Sequence, residues 1–424
     1  MADKMKREPC IRFNGFTEVW MHRKLGDTFM HIQNNTLSRA ALSYKHGAAL
    51  NIHYGDVLIK YGEVLDVKKE ILPSIIDESF ISKYKTSFLK NGDVIVADTA
   101  EDETVGKCTE VAEITNEIVI SGLHTIPYRP LFHFASGYLG FYMNSYAYHS
   151  QLLPLMQGIK VTSISKNAMT KTMISYPRSE LEQKQIATLF NNFNNLISLC
   201  KNKHNELLNV KKYFLNKMFP NIGNNLPEIH FCDFAEPWEQ RKLGELCLEI
   251  GDGLHSAPIY DENGSYYFIN GNNLVNGKII INEAETLKVS NETFKKNNSQ
   301  LDGTTILLSI NGTIGNLAYY QGENVMLGKS AAYLKVKNIE KKYLYTVLQT
   351  PMILREFDLF LTGTTIKNLG LAAIKNTTVY IPIKEEQMKI GTYFNHLDHL
   401  ITLHQQKLKI LNEMKKSLIY QMYI

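Results

Sequence analysis

Residues 18–26 of the chain are Glu-Val-Trp-Met-His-Arg-Lys-Leu-Gly, and residues 236–244 are Glu-Pro-Trp-Glu-Gln-Arg-Lys-Leu-Gly. The two segments hold the only two tryptophans, Trp20 and Trp238. With the flanking isoleucine and phenylalanines, nine of sixteen positions are identical at one constant offset. Self-similarity at a fixed offset is typical of an internal repeat. The chain is therefore predicted to contain two copies of one structural unit.

A second pair of similar segments closes each copy. Residues 179–219 align with 383–423 at an offset of 204, with 14 identities in 41 positions. Pro177 and Pro382 stand just before these segments, and both segments contain a Glu-Gln pair near their start. The interiors, residues 27–157 and 245–362, match poorly. The two copies thus share their ends and differ in their middles.

Both closing segments are predicted to be long helices because apolar residues recur in them every seven positions. The recurring positions are Ile186, Phe193, Cys200, Leu207 and Phe214 in the first, and Ile390, Leu397, His404, Leu411 and Leu418 in the second. A helix of 41 residues is roughly 60 Å long. The seven residues from 220 to 226 span at most ~25 Å. This short connection favours an antiparallel pair of helices.

The interiors contain short β-rich runs, such as residues 93–97 and 305–309, separated by Asn-Gly pairs that are typical of tight turns. The predicted fold is α+β: two α/β domains joined by two long helices that form an antiparallel coiled coil, with a pseudo-twofold internal repeat. The predicted boundaries are 1–176 for the first domain, 177–220 for the central helix, 221–235 for a linker, 236–380 for the second domain and 381–424 for the distal helix.

Composition narrows the class of protein without identifying its partner. The 424 residues carry a net charge of +4 with a pI near 8.5, which is below the pI of about 9 expected where charge alone indicates nucleic-acid binding. No apolar run is long enough for a membrane span and no secretory signal is visible, so a cytoplasmic protein is expected. Five cysteines without a C-x-x-C spacing predict neither a disulfide framework nor a metal site.

The sequence resembles the specificity subunits of type I restriction–modification systems. The resemblance rests on the W-x-x-R-K-L-G segment that opens each half and on the proline and Glu-Gln pair before each long helix. Residues 252–258 and 303–315 also resemble segments of target-recognition domains, with Thr304 in place of an acidic residue. The resemblance covers residues 9 to 424.

The resemblance implies that the two α/β domains are target-recognition domains. Each would bind one half of a split sequence in double-stranded DNA, and the paired helices would set the gap between the halves. The resemblance also implies two adenine-methylating (M) subunits, which carry S-adenosylmethionine, and translocating nuclease (R) subunits. ATP and Mg²⁺ are expected in those partners, and no cofactor or metal is expected in this chain. This chain would recognise the DNA sequence and would not catalyse a reaction.

Catalytic motifs are absent from the sequence. No two prolines are adjacent, which excludes the N/D-P-P-Y/F motif of amino-methyltransferases, and neither a P-loop nor an H-E-x-x-H motif occurs. Two alternatives remain. One is a structural or scaffolding protein with two ligand-binding domains on a coiled-coil bar, and the other is an autonomous enzyme without a recognisable set of catalytic residues.

Base edges are read by Arg, Lys, Asn and Gln side chains on loops or helix ends. The candidate DNA-binding residues are therefore Arg39, Lys60, Lys107, His124 and Arg129 in the first half, and His255, Asn270, Asn272, Asn273, Asn311, Lys329, Thr364 and Thr365 in the second. Four residues of the repeated segment are expected to brace each domain onto the helices: Trp20, Arg23, Trp238 and Arg241.

Overall fold

The structure is a computed structural model that describes residues 8–45, 47–158, 160–297 and 300–424. The chain divides into two compact units. Unit 1 comprises Met1–Leu199 and Leu408–Ile424, and unit 2 comprises Cys200–Lys407. Each unit therefore contains part of both long helices. Among the described residues, no helix is both long and apolar enough to cross a membrane.

Unit 1 is built on a five-stranded sheet of order β2-β10-β6-β8-β4 and a three-stranded sheet of order β5-β3-β9. Pair β1–β12 is antiparallel and joins the start of the unit to the strand before the first long helix. The strands of unit 1 are β1 Met21–Lys24, β2 Phe29–His31, β3 Ala49–Ile52, β4 Val64–Asp66, β5 Ser74–Ile75, β6 Val94–Ala97, β7 Thr99–Ala100, β8 Cys108–Ala112, β9 Val119–Ser121, β10 Thr125–Pro130, β11 Thr162–Ser163 and β12 Met173–Tyr176.

The helices that begin in unit 1 are short except for the last. They are α1 Leu25–Thr28, α2 Tyr54–Ile59, α3 Glu78–Ser82, α4 Tyr138–Met143, α5 Tyr146–His149, α6 Lys166–Met169 and α7 Glu180–Lys217. All six residues of α4 are buried, and this helix packs with the start of α7 into the main core of the unit. Val94 and Val96 of β6 and Cys108 of β8 belong to the same core.

Unit 2 is built on a four-stranded sheet of order β14-β22-β19-β20 and a three-stranded sheet of order β18-β15-β21. Pair β13–β25 is antiparallel and occupies the place that β1–β12 has in unit 1. The strands of unit 2 are β13 Glu239–Lys242, β14 Cys247–Asp252, β15 Tyr266–Ile269, β16 Leu274–Val275, β17 Lys278–Ile279, β18 Lys288–Val289, β19 Thr305–Ser309, β20 Leu317–Tyr319, β21 Val325–Leu327, β22 Ala331–Val336, β23 Leu361–Thr362, β24 Asn368–Leu369 and β25 Thr378–Ile381.

The helices that begin in unit 2 are α8 Asn291–Asn297, α9 Lys341–Val347, α10 Pro351–Leu359, α11 Leu371–Asn376 and α12 Lys384–Met422. Helix α9 is almost fully buried and joins α10, β19 and β22 in the core of the unit. The mixed helix and sheet composition and the two long helices, α7 and α12, agree with the predicted fold class.

Within each unit the segments of α7 and α12 pack side by side in opposite directions. In unit 1, Phe190 packs against Tyr423, and Asn194, one turn further along α7, accepts a hydrogen bond from Lys415 at 2.7 Å. In unit 2, Lys211 is paired with Asp398 at 2.5 Å, and Phe214 packs against Tyr393. Since residue numbers rise on one helix as they fall on the other, each pair of segments is antiparallel.

The repeated Glu-Gln pair fixes the start of each long helix. The Gln183 amide donates to the Pro177 carbonyl and accepts from the Ala135 N–H, and Gln387 makes the corresponding bonds to Pro382 and Glu340. A buried amide with both ends paired holds three chain segments together. The glutamates are also buried, and Glu182 forms a two-point ion pair with Arg12.

Candidate nucleic-acid interface

The loops at one end of the four-stranded sheet carry most of the candidate residues of unit 2. Pairings Asp252–Ala332, Ser309–Ala331 and Leu308–Leu317 place four strand ends together. We call the loops at this end the unit 2 loop surface. It comprises residues 253–255, 270–273, 310–316, 328–330 and 361–369.

Ser330 links two of these loops. Its hydroxyl donates to Asn270 Oδ1 at 2.8 Å and accepts from the Gly271 N–H at 2.9 Å. Asn273 closes the loop by accepting from the Asn270 N–H and donating to the Ile280 carbonyl. A side chain at Gly271 would collide with the backbone of Ser330. Asn270 and Asn273 therefore hold the loop in shape, which leaves the exposed Asn272 able to reach a ligand.

Hairpin β23–β24 lies against the loop that contains Asn311. Asn311 bridges to Asn368, and the Gly312 N–H donates to the Lys367 carbonyl at 3.1 Å. Thr364 and Thr365 are exposed at the tip of this hairpin. The structure thus brings together two segments more than 50 residues apart in sequence.

Lys329 and His255 lie on adjacent segments of the same surface. The Leu254 N–H donates to the Leu327 carbonyl, which places residues 253–255 beside the turn that carries the exposed Lys329. His255 Nε2 is 2.8 Å from the Asp252 carboxylate. This carboxylate orients the imidazole while the ring stays open to solvent, with 71% of the side chain exposed.

The corresponding end of the five-stranded sheet in unit 1 carries His124 and Lys107. The Asp98 N–H donates to the His124 carbonyl, and the Ala97 N–H to the Lys107 carbonyl. His124 has a positive φ of 54° and its ring lies 5.2 Å from that of Tyr54 at the start of α2. We call this end, with α2 and the turn at residues 39–41, the unit 1 loop surface.

Arg39 is the best oriented cation on the unit 1 loop surface. Its guanidinium makes two bonds to Asp56, at 2.7 and 2.8 Å, and a further one to the Tyr44 hydroxyl at 3.3 Å. Asp56 is buried, whereas 43% of the Arg39 side chain is exposed. A guanidinium has five donors, so the ion pair fixes its plane and leaves donors for a base edge or a phosphate.

Two lysines of the unit 1 loop surface are bound within the unit. Lys107 Nζ donates to the Leu58 carbonyl at 2.6 Å, and burial lowers the pKa of Lys107. Lys60 Nζ donates to the Ile71 carbonyl and lies over the rings of Tyr44 and Tyr61. Both ammonium groups therefore stabilise the loops through these hydrogen bonds and also contribute positive charge to this surface.

Arg129 lies at the opposite end of the same sheet. It donates to the buried Asp93 carboxylate at 2.6 and 2.8 Å and to the Phe88 carbonyl at 2.8 Å. The structure therefore separates Arg129 from His124, Lys107 and Arg39. Its ion pair with Asp93 lies at the start of β6.

The two tryptophans of the repeated segment are buried in equivalent aromatic clusters. Trp20 contacts Tyr138 and Tyr423, and Trp238 contacts Tyr343 and Phe219. The repeated arginines differ from each other. Arg23 lies 5.7 Å from the centre of the Phe132 ring, whereas Arg241 is paired with Glu239 and Glu245.

Several residues of these surfaces were not among the sequence candidates. Tyr44 and Asp56 orient Arg39, and Ser330 connects two loops of unit 2. Tyrosine, aspartate and serine are common in any loop, so only their contacts distinguish them. No group of three or more His, Cys, Asp or Glu side chains that could hold a metal was found in the part of the chain that the structure describes.

The structure thus has two units that share an equivalent strand pair and differ in their loops. Residues 235–413 match the family model of the type I restriction modification DNA specificity domain. The chain is 23% identical, over 95% of its length and 92% of the relative's, to the putative type I restriction enzyme MjaX specificity subunit of Methanocaldococcus jannaschii.

Solved structures show the same fold. The type I restriction–modification S subunit from M. genitalium aligns with a TM-score of 0.62 at 13% identity, covering 98% of this chain and 99% of that one. A chain from a type I system whose complex assembly and conformational transition were determined aligns with a TM-score of 0.55 at 17% identity, covering 94% and 96%. The sequence and the fold of this chain are thus similar to those of type I specificity subunits.

Proposed function

We propose that this chain recognises a bipartite, asymmetric DNA sequence and directs adenine methylation and restriction by partner subunits to it. The observation that carries the proposal is the pair of loop surfaces, each at the end of the main sheet of one unit. The units share their β1–β12 and β13–β25 frame, but their loops differ in sequence and in contacts. Two unlike surfaces on one repeated frame suit two unlike half-sites.

The proposed domain plan follows the predicted boundaries. Residues 1–176 and 236–380 form the two target-recognition domains, residues 177–220 and 381–424 form the helical spacer, and residues 221–235 link the halves. We propose that α7 and α12 form an antiparallel coiled coil with pseudo-twofold symmetry. Its length would set the gap between the two half-sites.

Three contacts support this symmetry. Cys200 and His404, which are equivalent positions of the repeat, face each other with Sγ and Nδ1 3.5 Å apart. A residue meets its own repeat equivalent only near a twofold axis. The Lys211–Asp398 and Lys415–Asn194 contacts are also equivalent, because both residues of the first pair differ by 204 from those of the second.

On the unit 2 loop surface, Lys329, Asn272, His255, Asn311 and the threonines of the hairpin are proposed to contact DNA. On the unit 1 loop surface, the proposed contacts come first from Arg39 and His124, with Lys60 and Lys107 adding positive charge. Asn270 and Asn273 are proposed to hold their loop, and Arg129 to stabilise the sheet. Direct base contacts give specificity, and phosphate contacts give affinity that falls with salt.

The proposed partners are two methyltransferase (M) subunits, which bring S-adenosylmethionine, and restriction (R) subunits, which use ATP and Mg²⁺. We assign no cofactor or metal to this chain.

A methylation assay with a matched pair of variants tests the proposal. Lys329→Ala removes a cation at the loop end of β22, and Lys337→Ala removes an exposed lysine at the other end of that strand. With the partner methyltransferase and fragmented DNA, wild type and Lys337→Ala should yield the same bipartite methylated motif. Lys329→Ala should weaken or relax one half-site only. Methylation without any sequence preference would overturn the proposal and favour a scaffolding role.

A further inference from the structure

The guanidinium of Arg39 is held by its two terminal nitrogens. Nη1 and Nη2 donate to the two carboxylate oxygens of Asp56 at 2.7 and 2.8 Å, and Nη1 also donates to the Tyr44 hydroxyl at 3.3 Å. A guanidinium has five N–H donors in one rigid plane. Among the described residues, no acceptor pairs with the Nε–H or with the second hydrogen of Nη2. These two donors lie side by side on one edge of the guanidinium, which we call the open edge of Arg39.

The residues behind Arg39 fix the direction of the open edge. Asp56 lies on α2, and its side chain is only 5% exposed. The start of α2 is held by His53, whose Nδ1 accepts a hydrogen bond from the Gly55 N–H at 3.2 Å. Because two parallel bonds join Arg39 to this carboxylate, the guanidinium cannot turn without breaking one of them. The open edge is therefore oriented before a ligand binds, and 43% of the Arg39 side chain remains exposed for a ligand to reach.

Two kinds of acceptor on DNA fit a pair of parallel N–H donors. A phosphate group accepts with two of its oxygens, and guanine accepts with O6 and N7 in the major groove. The charge of the ion pair distinguishes the two. Phosphate contacts derive their affinity from cations that displace counterions, whereas the charge of Arg39 is already balanced by Asp56, whose carboxylate would lie close to a bound phosphate. Guanine carries no net charge, so a neutral ion pair with two oriented donors favours guanine over phosphate.

The neighbouring Lys60 has the properties of a phosphate contact. Its Nζ donates to the Ile71 carbonyl and lies 5.9 Å from the centre of the Tyr44 ring. It forms no ion pair with any residue that the structure describes. The positive charge of Lys60 is therefore available to the DNA backbone beside the base that Arg39 would contact.

We propose that Arg39 reads one guanine in the half-site of unit 1 through its open edge, with Asp56 and Tyr44 as positioning residues. This inference rests on the proposed function, in which the unit 1 loop surface binds one half of the target. It adds the identity of one base pair to that function: the half-site of unit 1 contains a G·C pair that Arg39 specifies.

Methylation of a DNA library by matched variants tests the inference. The full-length chain is combined with the methyltransferase subunit, and the target mapped with the wild-type chain is varied one position at a time. The wild-type chain should prefer guanine at one position of one half-site by about 10- to 100-fold. Arg39→Ala should accept any base at that position and keep every other position and the gap. Arg178→Ala removes an exposed arginine outside the unit 1 loop surface, and this control should leave the whole motif unchanged.

Three further variants separate base recognition from folding and from charge. Arg39→Met/Asp56→Asn leaves no buried charge unpaired, so it should give a cooperative urea transition and show the same loss of guanine preference. Asp56→Asn alone keeps the guanidinium but no longer fixes its plane, so the preference for guanine should fall without vanishing. Lys60→Ala should weaken binding to all sequences alike and reduce the slope of log affinity against log salt by about 1.

Two results would overturn the inference and leave the proposed function standing. One is a wild-type motif in which neither half-site specifies a G·C pair. The other is uniform weakening of all sequences by Arg39→Ala together with a smaller salt slope, which would make Arg39 a phosphate contact. Methylation by the wild-type complex without any sequence preference would instead count against the proposed function itself.

Discussion

Removal of the Lys415 ammonium group should destabilise unit 1 by about 2–3 kcal/mol. Lys415 Nζ lies 2.5 Å from Glu63 Oε1 and 2.7 Å from Asn194 Oδ1. Burial opposes ionisation of Glu63, but the charge and hydrogen bond of Lys415 outweigh it, so the pKa of Glu63 is lowered. In Lys415→Met the Glu63 carboxylate loses this cation.

The size of the destabilisation by Lys415→Met follows from the partial burial of the Lys415–Glu63 ion pair. Breaking a buried ion pair on one side costs about 3–5 kcal/mol. The side chains of Lys415 and Glu63 are 15% and 20% exposed, which lets water screen the remaining charge and reduces the cost to about 2–3 kcal/mol. Since Glu63→Gln removes the unpaired charge, the double variant should be about as stable as either single variant, so a double-mutant cycle should give a coupling of about 2–3 kcal/mol.

The two tryptophans make the assay selective, because Trp20 belongs to unit 1 and Trp238 to unit 2. In a Trp238→Phe background, urea unfolding followed by fluorescence reports on unit 1 alone. Lys416→Met, at the adjacent exposed position, is the control and should change the free energy of unfolding by less than about 0.5 kcal/mol. Equal effects of Lys415→Met and Lys416→Met, or additive effects in the cycle, would refute the reasoning.

Three further predictions concern the cores. Trp238→Ala should lower the free energy of unfolding of unit 2 by about 3–5 kcal/mol and weaken assembly, because the indole is buried against Phe219 and Tyr343. Methylome mapping should show that the recognised sequence is unchanged. A different recognised sequence at normal stability would contradict this structural role of Trp238. Burial raises the pKa of Glu110 to about 7 although the N–H groups of Gly137 and Gly140 donate to it. Because the carboxyl pKa is raised in the folded state, unit 1 loses stability as pH rises from about 4.3 to about 7. Urea midpoints should therefore fall more between pH 5 and 8 for wild type than for Glu110→Gln. Parallel pH profiles of the two proteins would argue against a raised pKa of Glu110. Arg129→Met leaves the Asp93 carboxylate buried without its cation and should destabilise unit 1 by about 3 kcal/mol. If this variant lost DNA binding while its urea midpoint stayed unchanged, Arg129 would be a DNA contact instead.

The repeated segments allowed the frame to be predicted from sequence. Apolar positions seven apart and the absence of interior proline define α7 and α12, and the structure places their ends at Glu180, Lys217, Lys384 and Met422. The repeated Trp20 and Trp238 indicated equivalent surroundings because each must bury the same large ring.

The surfaces could be predicted only in part. Asn311 and the hairpin threonines were chosen by residue type, but their proximity depends on strand pairing between distant segments, which no local pattern specifies. Arg129 shows the converse. Its residue type is suited to base recognition, and only the positions of Asp93 and Phe88 reveal that its Nε and Nη2 groups donate inside the domain.

Exchange of one recognition domain determines whether the two units read their half-sites independently. Residues 236–380 are replaced by the equivalent domain of a relative with a different target, while α7, α12 and residues 1–176 are kept. Methylation mapping with the partner subunits should then show one new half-site, the other half-site unchanged and the same gap between them. If both half-sites or the gap changed together, the two units would not read DNA independently and the account would be wrong.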